Sequence, residues 1–104
     1  MKIIETDNAP KAIGTYSQAV KVKGFLFISG QIPLDPSTME LVEGIENQII
    51  QVFENINQIL KADEMDFSNV VKLSVLLEDL SNFEKVNEIT VSYTHLTLPT
   101  TERV

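Results

Sequence analysis

A chain of 104 residues, 43% of them hydrophobic, makes one small globular domain, and its net charge of −7 argues against nucleic acid as a main partner, since affinity for phosphate backbones comes mostly from Lys and Arg. The absence of cysteine excludes a disulfide framework and a thiolate metal site, and the single histidine, His95, sets no metal geometry alone. No apolar run approaches the roughly 18 residues of a membrane-spanning helix, and the N-terminus lacks a signal-peptide core, so a cytoplasmic setting without a membrane partner is expected.

Residues 2–6 read as a short strand, closed by Asn8-Ala9-Pro10, where the residue before proline is held extended. Gly14 marks a turn before residues 17–22, a second extended stretch ending at Lys23-Gly24. Phe25-Leu26-Phe27-Ile28 is apolar at every step, which fits a strand covered on both faces. Pro33 and Pro36, with Asp35 and Ser37, mark a turn-rich excursion. Residues 44–62 form the clearest helix: Ile45, Ile49, Val52, Phe53, Ile56 and Leu60 recur at helical spacing, while Glu46, Gln51, Glu54 and Lys61 face away. Residues 70–78 predict another strand, with Val71, Leu73, Val75 and Leu77 on one face. Ser81 and Glu84 predict a capping box for a second helix whose inner side carries Phe83, Val86 and Thr90. Two helices cover one face of a small sheet, yet the strands are apolar on both. The second face needs a partner, and a homo-oligomer is expected.

After Ile89 the character changes. Residues 91–101 are threonine-rich, contain Pro99, and neither extend the Phe83/Val86 stripe nor alternate as a strand should. The string resembles a translated sequencing adapter, which divides the chain into a domain over 1–89 and a non-native tail over 90–104; a natural divergent terminus is the plainer alternative.

There is no nucleophilic triad, because cysteine is absent and the lone histidine falls in that tail. Paired acids at Asp63/Glu64 and Glu78/Asp79 sit next to turns and read as solvated surface rather than a glycosidase pair. The remaining candidates are Tyr16, Ser29, Gly30, Gln31 and Asn87. Tyr16 offers a phenol that can donate to a carboxylate or a water; the plainer reading is a core aromatic. Ser29 and the Gly30 N–H could bind a small oxyanion where the central strand ends, or simply lead into a turn. Asn87, four residues past Phe83, falls on the inner face of its helix, where an amide is more often structural than ligand-binding.

Four strings raise these candidates together: Gly14-x-Tyr16-Ser17-Gln18-Ala19, Ser29-Gly30-Gln31-Ile32-Pro33, Asn69-Val70-Val71-Lys72 and Asp79-Leu80-x-x-Phe83-x-x-Val86-Asn87. In this order they resemble the signature of the RidA family of reactive-intermediate imine and enamine deaminases, also called the YjgF or UK114 family. The resemblance implies an α+β, chorismate-mutase-like fold: a mixed sheet with two helices on one face, its C-terminal strands missing here. It also implies a homotrimer with clefts between subunits. The implied reaction is hydrolysis of 2-imino and enamine acids, such as 2-aminoacrylate and 2-iminopropanoate, to 2-oxo acids and ammonia with no cofactor or metal. Tyr16, Ser29, Gly30 and Asn87 become substrate-binding residues by the same resemblance. The family's carboxylate-clamping arginine and water-positioning glutamate lie in later segments that this sequence does not match, and Arg103 is outside any matching motif. The catalytic residues are therefore unassigned, and this chain is expected to be a truncated, inactive form of an active parent. The alternatives are a non-catalytic trimeric module binding a small metabolite, and an endoribonuclease or translation inhibitor.

Overall fold

The computed structural model describes residues 1–14, 16–77, 79–94 and 102–103. Strands β1 (Lys2–Ile4), β2 (Ala19–Val22) and β3 (Phe25–Ile28) form an antiparallel sheet in sequence order. Helix α1 (Ile45–Ala62) follows, then β4 (Leu76–Leu77), helix α2 (Phe83–Thr94) and β5 (Glu102–Arg103). β4 and β5 pair in parallel as a separate two-stranded unit, Leu77 opposite Arg103. The α+β class read from the sequence is the one found, with both strand senses present but divided between two sheets.

Register sorts the three-stranded sheet into two faces. Ile4, Ala19 and Ile28 stand opposite one another in one row, as do Ile3, Val20 and Phe27 in the next. The first row faces α1: Ile4, Ala19 and Ala9 are buried with Ile59. Leu26 and Ile28 also touch a second cluster of Ile49, Phe53 and Leu60 of α1, Phe67, Leu77 and Val86 of α2. Each buried Ile, Leu, Val or Phe side chain among these contributes about 1.5–3 kcal/mol by leaving water. The other row is bare. Phe25 is 63% and Phe27 60% exposed, with Ile3 beside them, so within one chain β3 is covered on one face and not on both.

Helix α1 obeys its predicted stripe, with Gly44 as its N-cap at φ 88, but its buried face is wider and includes Asn55 and Ile59. Gln51 and Glu54, expected to face away, are half-buried because each has a partner. Gln51 donates to Asn55, and Glu54 accepts from Tyr93 at 2.7 Å. The helix ends with Met65 N–H on the Leu60 carbonyl and Glu64 N–H on that of Lys61, Glu64 taking the left-handed conformation (φ 57) that closes such an end.

Four expectations are corrected. Of the strand predicted over 70–78, only Leu76–Leu77 is strand, and Glu78 lies outside the described residues. The Ser81/Glu84 box is replaced by Asp79, whose carboxylate accepts from Ser81 N–H at 2.9 Å to open a 3₁₀ turn, Leu80–Asn82, ahead of α2. That bond lowers the Asp79 pKa, a backbone donor preferring the ionised carboxylate. Asp63 is not surface: its side chain is 5% exposed, with Oδ2 3.0 Å from Lys21 Nζ. Finally, the helical stripe expected to stop near Ile89 continues, and α2 runs to Thr94. Thr90 is buried because its hydroxyl bonds the Val86 carbonyl one turn back, and Tyr93 stacks on Phe53 at 5.3 Å. Residues 95–101 and 104 of the expected tail lie outside the described set. No helix among the described residues is long and apolar enough to cross a membrane.

Candidate functional site

Where β2 begins and β3 ends, two loops face each other across a narrow cleft of about 30 Å³, room for about one or two waters. One lip is Pro10–Ile13 with Tyr16; the other is Ser29–Ile32 with Leu34. Three of the four sequence-predicted site residues, Tyr16, Ser29 and Gly30, come together here, and so does Gln31. Asn87 does not. It sits half-buried on α2, is engaged in an interaction of its own, and lines no part of the cleft.

The first lip is shaped by Gln18, 4% exposed. Its Nε2 donates to the Pro10 carbonyl at 2.8 Å, to Thr6 at 3.0 Å and to Ala9 at 3.2 Å, while its Oε1 accepts from Thr6 N–H at 2.7 Å. One buried amide thus satisfies a loop that has no ladder of its own, and the proline it grips can supply only a carbonyl. Gly14, at φ 106, lets the chain reverse before Tyr16. Tyr16 is 51% exposed, so the core-aromatic reading is excluded and its ring forms an open wall.

The second lip begins with Ser29. Its N–H donates to the Gln18 carbonyl at 2.9 Å and its hydroxyl donates to the Ser17 carbonyl. The hydroxyl hydrogen is therefore engaged, which leaves Ser29 Oγ an acceptor toward the cleft. Donation to an anion falls instead to the Gly30 and Gln31 N–H groups, which bond no acceptor among the described residues. Gly30 lacks a positive φ, and a Cβ built there meets nothing within 4 Å. Nothing among the described residues requires glycine at this position, so the space beside it is open for a ligand or a neighbouring molecule. Gln31 folds back, its Nε2 donating to the Ser29 carbonyl at 3.0 Å.

Three residues of this region were not assigned from the sequence. Among the described residues Lys11 is the one charged residue lining the cleft, and no Asp, Glu or His joins it there. Lys11 also borders a wider adjoining bowl that holds Glu5 and Asp7, yet it forms no ion pair among the described residues. Gln18 was visible inside its motif, but only the structure shows it as the brace of a loop. Asn55, in mid-helix where asparagine is a poor former, carried the signal of a buried hydrogen bond. Among the described residues no group of three His, Cys, Asp or Glu could hold a metal ion.

Comparison with known proteins gives one family. The model described as endoribonuclease L-PSP matches residues 6–104. A RutC family protein of Pyrococcus horikoshii is 50% identical over 93 residues, 88% of this chain and 74% of its own length. The mouse protein named 2-iminobutanoate/2-iminopropanoate deaminase is 50% identical over 99 residues, 94% of this chain and 73% of its own. The crystal structure of RidA from a Psychrobacter species superposes with a TM-score of 0.91 at 48% identity, covering 100% of this chain and 85% of that one.

Proposed function

This chain belongs to the endoribonuclease L-PSP, or RidA, family, and on that premise we propose that it takes small 2-imino acids into the Tyr16–Gly30 cleft for hydrolysis to 2-oxo acids and ammonia. In that reaction water adds to the carbon of the C=N bond. The C–N bond of the resulting aminocarbinol then breaks, nitrogen leaves as ammonia, and the carbon is left as the keto group. No electrons are exchanged with a second reactant.

The observation that carries the reading is the chemistry of the lining. Gly30 and Gln31, whose N–H groups bond no acceptor among the described residues, line the same cleft as Lys11, in a chain that is otherwise strongly acidic. A 2-imino acid brings a carboxylate, and these groups answer it, with the Tyr16 phenol beside them. A net charge of −7 weighs against the ribonuclease reading that the family description carries. Because no carboxylate or imidazole among the described residues lines the cleft, we assign activation of the water to a neighbouring copy. The bare face of Phe25, Phe27 and Ile3 is where copies meet in our reading, as a homotrimer in the cytoplasm.

The same missing base favours a second reading, a module that binds the acid without hydrolysing it. A dehydratase-coupled assay separates the two. Acceleration of 2-oxo acid and ammonia release supports hydrolysis; binding of pyruvate without acceleration supports the module; neither result abandons the cleft. In either supported case Lys11→Ala weakens binding of the anionic probe about two- to fivefold, the effect of one exposed charge, and salt erases the difference. An unchanged affinity removes Lys11 from the site.

A further inference from the structure

The excursion at residues 33–42 is a small hairpin outside the main sheet. Val42 N–H donates to the Pro33 carbonyl at 3.0 Å, Asp35 N–H to the Glu40 carbonyl at 2.9 Å, and Leu34 bridges Leu41. Its first leg continues directly from the second lip of the cleft. Its ties to the body of the protein are carboxamides of α1. Gln48 Nε2 donates to the Val42 carbonyl at 3.0 Å on the far leg. Two helical turns later, on the same face, Asn55 Nδ2 donates to the Leu34 carbonyl at 3.0 Å and to the Ile32 carbonyl at 3.3 Å. Between them Gln51 Nε2 donates to Asn55 Oδ1 at 2.8 Å, which fixes the orientation of that amide.

From this arrangement we infer that Asn55 is a positioning residue for the cleft: by holding the two carbonyls that flank Pro33, it sets how the Gly30 and Gln31 N–H groups face Tyr16. The geometry makes the grip specific. Leu34 N–H donates to the Ile32 carbonyl at 2.8 Å, so residues 32–34 form a three-residue turn about a proline of fixed φ. An amide that bonds both carbonyls of that turn fixes its orientation as well as its distance, and Gly30 and Gln31 are the residues immediately before it. Asn55 itself is 1% exposed with its donors and acceptor all engaged, so no other rotamer keeps these bonds. Gln48 holds the opposite leg of the hairpin through Val42, whose N–H bonds the Pro33 carbonyl. It thus reaches the turn through one further backbone hydrogen bond and not directly. The two amides therefore have similar structural work and different functional consequences.

The kinetic part of this inference rests on the proposed reading of the cleft; the structural part does not, and the experiment keeps them apart. Asn55→Ala, Asn55→Asp and Gln48→Ala are compared with the unaltered chain by amide NMR without ligand, by titration with pyruvate, and by thermal unfolding. The expected result is a shift of the Gly30 and Gln31 signals in both Asn55 variants and not in Gln48→Ala. Pyruvate affinity falls about tenfold or more with Asn55 altered, since small misplacement of binding groups costs that much, and stays within twofold with Gln48 altered. Asn55→Asp conserves shape and serves if the alanine variant does not fold. Its carboxylate repels the two carbonyls, and its protonated form regains one donor, so its defect shrinks as pH falls. Unmoved Gly30 and Gln31 signals in a folded Asn55 variant overturn the inference, as does an equal shift in Gln48→Ala. If the unaltered chain binds no pyruvate while the signals still move as expected, the functional reading has failed and the positioning of the lip stands.

Discussion

The two faces of the three-stranded sheet invert the usual distribution of residue types. The face turned toward α1 carries Ile4, Ala19 and Ile28, but also Lys21, whose ammonium lies 3.0 Å from the shielded carboxylate of Asp63. The face turned away carries two phenylalanines, their ring centroids 6.5 Å apart, and an isoleucine, all open to solvent. A charge is inside and aromatics are outside. A lysine can enter because its stem packs as hydrocarbon and a partner meets its head. A cluster of exposed aromatic side chains marks a surface suited to a partner.

The sharpest way to break this contrast is to truncate one phenylalanine on each side. Phe53, buried between Phe67 and Tyr93, is expected to cost about 3–5 kcal/mol as Phe53→Ala, read as a lower denaturation midpoint. Phe27→Asp has no such cavity to leave. If copies of the chain meet on this face, its effect appears as a change in sedimentation from the assembled mass to that of one chain. Retention of the assembled mass refutes the outer face as the interface. A large loss of stability in a variant that was monomeric from the start shows Phe27 to be core.

Much of this was legible in the sequence because apolar spacing reports burial directly. The stripe Ile49, Phe53, Ile56, Leu60 fixed the inner side of α1, and the apolar run Phe25–Ile28 ending at Ser29-Gly30 located one lip of the cleft before any coordinates. Three things were not legible. An unbroken apolar run says that both faces of β3 avoid water but not which one its own helices cover. A charged residue next to a turn looks the same in the sequence whether solvated or paired in the interior, so Asp63 read as surface, and the mid-helix Asn55, whose signal was weak, drew no reading. The end of α2 was set too early because threonine is a poor helix former, while its cost there is offset by burial of Thr90 and stacking of Tyr93.

The ion pair tests the inner half of the contrast with a smaller expected effect. Asp63 is the C-cap of α1, where the helix dipole disfavours a negative charge, so Lys21 is what makes a shielded carboxylate tolerable there. Losing one partner of a buried pair costs about 3–5 kcal/mol; with Lys21 about a third exposed, solvent reduces Lys21→Ala to about 1–2 kcal/mol. The double variant Lys21→Met/Asp63→Leu is expected to recover most of that loss, since apolar replacements of similar size suit an inner face. If the double variant is as unstable as the single one, the pair does more than hold strand to helix.

The smallest effect concerns the far side of the helical layer, which closes with a polar cap that the sheet's outer face lacks. Tyr93 stacks on Phe53, meets the edge of Phe67 at 5.7 Å and donates its hydroxyl to Glu54. Burial first, then the bond to Glu54 and its negative charge, push the phenol pKa up to about 12. The folded state thus holds its proton more firmly than the unfolded chain, whose tyrosine titrates near 10. Stability from this contact is complete below pH 10 and declines as pH rises through 10 toward 12, because over that range the unfolded chain gives up a proton that the folded one keeps. In a Tyr16→Phe background, ultraviolet titration reads Tyr93 alone, and its transition is expected above pH 11 and to move downward when Glu54 becomes Gln. A transition at 10 in the folded protein denies the cap. It also returns residues 90–94 to solvent, leaving the helical layer as open at that end as the sheet is on its phenylalanine face.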